Sequence, residues 1–119
     1  MYIMENENVY PIATKELADK KAALAPKNLE AWRTFSKTVF QAGALDNKTK
    51  QLIAVAVAHV TQCPYCIRSH SKYAVRKGAS KEEIMEAIWV AAEMRAGAAY
   101  AHATIAMDEM EALEKNGLP

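Results

Sequence analysis

At 119 residues and 13.1 kDa the chain has the length of a single domain. With 51% apolar and 24% charged residues it can fill a modest core, which excludes a disordered polymer. A net charge of +1 and a pI near 7.8 give no strong field, so neither nucleic acid nor an acidic membrane surface is expected as a partner.

The N-terminal MYIMENENVY lacks a basic stretch followed by an apolar one, so no signal peptide is expected and the cytoplasm is the expected compartment. Residues 1–10 read as an arm. No stretch alternates as a strand would, and the expected fold is all-α, about six helices in one domain spanning 1–119. A first helix is expected from Thr14 to Leu24, stopped by Pro26. Asn28 offers an N-cap for a second helix, whose Leu29, Trp32, Phe35, Val39 and Phe40 recur at helical spacing, with Gly43 suited to end it. Asp46 caps a third helix. Its body, Leu52-Ile-Ala-Val-Ala-Val-Ala58, is apolar nearly all round, which predicts burial on several sides.

Pro64 disfavours helical geometry at Cys63 and suits the first position of a new helix, so Cys63 is expected at the N-cap of a fourth helix closed by Gly78. Ser80 and Glu83 form a capping box for the fifth. Gly97 is expected to end or kink that helix before a last one over 98–115. The uncharged run 51–67 is too short and too polar to span a bilayer.

The chemistry concentrates in Cys63-Pro-Tyr-Cys66-Ile-Arg-Ser-His70. Free amides and the helix dipole favour thiolates in a first turn, and cysteines at i, i+3 can approach closely enough for a disulfide. His70 follows Cys66 by four residues on the same helical face, whereas Cys63 lies about 10 Å away along the axis. The spacing therefore makes Cys66 the activated thiol and Cys63 the resolving one. A redox dithiol competes with a zinc site, for which a second CxxC is missing and His102 or Glu93 would have to supply a ligand, and with inert structural cysteines. No bound metal or organic cofactor is expected.

Leu45-Asp-Asn-Lys-Thr-Lys50, the apolar run 52–58, Gln62-Cys-Pro-Tyr-Cys66, His70 and Gly78-Ala-Ser-Lys-Glu-Glu83 together resemble the carboxymuconolactone decarboxylase superfamily, in its alkyl hydroperoxidase D-like branch, over 45–113. The resemblance implies an all-helical homo-oligomer, a trimer or hexamer. It also implies thiol-dependent reduction of a hydroperoxide: Cys66 becomes a sulfenic acid, Cys63 closes the disulfide, and a dithiol donor such as a lipoylated protein returns the electrons. The redox branch usually carries a glutamate twelve residues before the first cysteine, in a proton relay with the histidine; here that position is Gln51, which cannot shuttle a proton at neutral pH.

Glu93, inside Ala87-Ile-Trp-Val-Ala-Ala-Glu-Met94, is the candidate substitute acid, weighed against an exposed helix position. His102 is a candidate for the same pocket or for a satisfied core histidine. His59 is expected to make local contacts near a helix end, Tyr65 to tune access, and Trp32, Phe35, Trp89 and Met85, Met94, Met107 and Met110 to serve a core or subunit interface. The competing functions are a non-catalytic redox sensor and, from the superfamily name alone, a lactone decarboxylase.

Overall fold

The computed structural model describes residues 9–117; most of the expected arm, 1–8, lies outside the described residues. The described residues form five helices and no strand: α1 (Lys15–Leu24), α2 (Pro26–Phe40), α3 (Asn47–Thr61), α4 (Pro64–Arg76) and α5 (Lys81–Asn116). The local chemistry of the chain sets most of these limits. Thr14, Asp46 and Ser80 each accept a backbone N–H three residues on, and Glu83 bonds back to the Ser80 N–H to complete the capping box.

Three expectations need correction. The second helix begins at Pro26 rather than after Asn28, because proline fits a first helical position, where no N–H is needed. That helix ends at Phe40 with Gln41 as its cap, and Gly43 keeps a φ open to any residue. Gly97 does not end the last helix. The alanines around it have the highest helix propensity, so the cost of one glycine, about 1 kcal/mol, is absorbed and α5 runs unbroken for 36 residues. The described residues therefore carry five helices, against about six expected.

The core sits where α3 packs against both α4 and α5. Val55 and Ala74 are fully buried there beside Ala79, and Leu52, Ile84 and Ile88 pack around them. Lys48 at the start of α3 and Glu83 at the start of α5 close at 2.8 Å across this junction. The α1 backbone approaches only α2, and beyond α1 that of α2 approaches only α3. The single chain is consequently extended, with a radius of gyration of 20.8 Å against about 13–14 Å for a compact domain of this length. No helix among the described residues is long and apolar enough to cross a membrane.

Candidate functional site

The site is built by one turn, one face of α4 and one clamp. The turn joins α3 to α4. Gln62 adopts the left-handed conformation (φ +56°), the Cys63 N–H reaches back to the Ala58 carbonyl at 3.1 Å, and the chain leaves α3 through a Schellman-type closure. That exit places Cys63 as the extended N-cap of α4, with Pro64 at the first helical position. The Cys66 N–H donates to Cys63 Sγ at 3.2 Å, so the sulfur does for α4 what a serine or aspartate oxygen does at other helix starts. Cys63 and Cys66 are joined as a disulfide, with their Cα atoms 5.3 Å apart.

One turn further along α4, His70 projects toward α3. Gln51 is 6% exposed, and its Oε1 lies 2.8 Å from His70 Nδ1. An amide oxygen only accepts, so Nδ1 carries the proton and Nε2 keeps its lone pair. The Phe40 ring stacks on the imidazole at 5.2 Å, and Tyr73 meets it edge-on at 5.9 Å. Partial burial holds the His70 pKa below the ordinary histidine value, which keeps the ring neutral and able to accept a proton.

The clamp fixes Phe40. Asn47 Nδ2 donates to the Phe40 carbonyl at 2.6 Å, and Lys50 Nζ donates to the Val39 carbonyl at 2.8 Å and also to that of Gln41. These carbonyls are the free acceptors at the C-terminus of α2, where a cation is favoured by the helix dipole. Between α2 and α3 lies a cavity of about 360 Å3 whose walls are Val39, Phe40, Ile53, Ala54, Val57 and Ala58, with Lys50 and Thr61 beside them and Cys66 and His70 completing the lining.

Of the residues singled out in the sequence, Cys63, Cys66, His70 and Gln51 come together here. Glu93 and His102 do not: both lie on exposed stretches of α5, outside the cavity lining. His59 donates from Nδ1 to the Val55 carbonyl at 2.7 Å within its own helix. No group of three or more histidine, cysteine or acidic side chains among the described residues is placed to hold a metal ion. Phe40, Asn47 and Lys50 were missed as site residues. Phe40 reads as the end of an apolar stripe, and nothing in the sequence shows that α2 folds back so that its last turn meets α4.

The sequence profile of the carboxymuconolactone decarboxylase family matches residues 26–109. The chain is 65% identical over 85 residues to the uncharacterized protein 4 in the cox locus of Paracoccus denitrificans, a match covering 71% of this chain and 77% of that one. A protein of Methanobacterium thermoautotrophicum has a similar crystal structure, with a TM-score of 0.70 and 33% identity over 76% of this chain and 98% of that one. A carboxymuconolactone decarboxylase family protein of Thermotoga maritima, with a suggested involvement in antioxidative response, aligns with a TM-score of 0.55 and 34% identity, covering 76% and 96% of the two chains.

Proposed function

The chain belongs to the carboxymuconolactone decarboxylase family, and on that footing we propose that it is a thiol-dependent oxidoreductase that reduces organic hydroperoxides through Cys63 and Cys66. The observation that carries the reading is that Cys66 and His70, but not Cys63, line the apolar cavity beside the dithiol. In the reduced protein His70 Nε2 takes the Cys66 proton, and the thiolate attacks the terminal oxygen of the hydroperoxide. The O–O bond breaks, an S–O bond forms, and the alcohol leaves with the proton held by His70. The Cys63 thiol then displaces water from the Cys66 sulfenic acid, giving the disulfide. A dithiol donor restores both thiols by exchange, itself becoming a disulfide. The cavity walls favour a peroxide with an apolar tail over hydrogen peroxide.

The reduced protein mixed with cumene hydroperoxide should lose two thiols per peroxide consumed. Cys66→Ser should abolish the reaction, and Cys63→Ser should stop at a sulfenic acid trapped by dimedone. Equal loss of reactivity in both variants, with no trapped sulfenic acid, would overturn the assignment of roles. The second reading, a redox sensor, is favoured by Gln51, since an amide cannot relay protons for rapid turnover. Turnover with dithiothreitol or a dihydrolipoyl donor supports the catalyst; stoichiometric oxidation without recycling supports the sensor.

Homo-oligomerisation, as a trimer or hexamer, is part of the same proposal. The extended chain leaves Trp89, Met94, Tyr100 and Ile105 of α5 exposed, Tyr100 to 85%, a larger apolar display than monomers usually tolerate. Sedimentation equilibrium at micromolar concentration tests this, and a monomer would refute it.

A further inference from the structure

The N-terminal segment meets the redox motif at two places, apart from the clamp that Asn47 and Lys50 close on the end of α2. At its start, the Tyr65 hydroxyl donates to the Pro11 carbonyl at 2.7 Å, and the Tyr10 ring meets the Tyr65 ring edge-on at 6.1 Å. At its end, Phe40 stacks on His70. Between these points the α1 backbone approaches no helix except α2, and a cavity of about 400 Å3 is lined by Pro11, Ile12, Thr14, Leu17 and Lys21 on one side and Tyr65 on the other. Tyr65 is one of the two residues enclosed by the disulfide ring, one position before Cys66.

We propose that the segment from Tyr10 through α1 is a redox-responsive strap, docked on Tyr65 while Cys63 and Cys66 are joined and loosened when they are reduced. The disulfide fixes the first turn of α4 by holding two sulfurs about 2 Å apart. Reduction by a small dithiol proceeds through a mixed disulfide; the donor's second thiol then displaces the protein sulfur. It ends with two protein thiols and a cyclic donor disulfide. The sulfurs then separate to ordinary contact, about 3.5–4 Å. The turn around Tyr65 gains freedom, and the phenol at the end of a long side chain magnifies any change in its backbone. A helix of ten residues with no buried side chain does not persist alone in water, so α1 depends on its two tethers, the Tyr65 contacts with Tyr10 and Pro11 and its packing on α2. Linkage makes the coupling reciprocal: a strap that prefers the disulfide shifts the thiol–disulfide equilibrium toward oxidation by the same factor.

Amide hydrogen exchange over residues 10–24, compared between oxidised protein and protein reduced with dithiothreitol, tests the proposal; amides of α3 around Val55 serve as the reference for global stability. Protection of 10–24 should fall about two- to tenfold on reduction, the range set by one hydrogen bond, while the α3 reference holds. Tyr65→Phe, which keeps the ring and removes the hydroxyl, should shrink that difference. It should also move the equilibrium constant with dithiothreitol toward the reduced form by the same factor. Equal protection in the two redox states overturns the proposal, as does a difference that Tyr65→Phe leaves intact or that matches the α3 reference. Peroxide turnover is not a readout, so failure here leaves the peroxidase reading standing, and the converse holds.

Discussion

Replacing Gln51 by glutamate tests how His70 is held. The substitution puts a carboxylate oxygen where the amide oxygen sits, 2.8 Å from Nδ1. Charges centred about 4 Å apart attract by about 4 kcal/mol at an effective dielectric near 20. His70 is only partly buried, and desolvation of the new carboxylate offsets part of the gain. About 1.4–2.7 kcal/mol remains, which raises the His70 pKa by about 1–2 pH units. The thiolate–imidazolium pair formed by proton transfer from Cys66 is stabilised, so oxidation by cumene hydroperoxide should accelerate, most at a pH near or above the raised pKa and less below it, where the imidazole is already protonated. The stability of the variant should follow the raised histidine pKa: the added contribution is complete below about pH 6.5, the unfolded value, and is lost as pH rises through the folded one. The assay is an NMR titration of the His70 imidazole in both proteins, with the nitrogen resonances reporting the tautomer. A midpoint that stays or falls in Gln51→Glu, or a proton on Nε2 in the wild type, would falsify the account of this hydrogen bond.

The wild type should show the opposite pH dependence. Burial lowers the folded pKa of His70, so below about pH 6.5 the unfolded chain takes up the proton first, and stability falls with pH until the folded imidazole titrates as well; urea midpoints between pH 8 and 5 measure this, and a flat profile contradicts it. Phe40→Ala uncovers one face of the imidazole, so the His70 pKa should rise toward the ordinary value, read by the same titration. Asn47→Ala removes the bond to the Phe40 carbonyl and should cost about 1 kcal/mol in chemical denaturation. Val55→Ala removes two methyl equivalents from the centre of the core and should cost about 2–3 kcal/mol without altering the dithiol's reactivity.

Local chemistry in the sequence determined the helices. Asp46 and the Ser80–Glu83 box start two of them, and Pro64 makes Cys63 a cap rather than an interior residue, which brings the dithiol to a helix N-terminus. The same local rules put His70 on the face of Cys66. They failed at Pro26, where one residue can end a helix or begin one, and at Gly97, where the flanking alanines outweighed a weak breaker. Tertiary structure decided everything that depends on which elements meet. Glu93 and Gln51 were both candidates for the histidine's partner. The packing of α3 against α4 gives that place to Gln51, nineteen residues away in the chain, and leaves Glu93 on an exposed stretch of α5. Phe40 was read as part of an apolar stripe, yet the Asn47 and Lys50 side chains fold the end of α2 over the imidazole. Tyr65 was expected only to tune access until the chain brought Pro11 back across fifty-four residues to its hydroxyl. Helix limits follow from bonds between near neighbours, which any sequence displays. The surroundings of His70 follow from contacts between distant segments, which form only when the whole chain has packed.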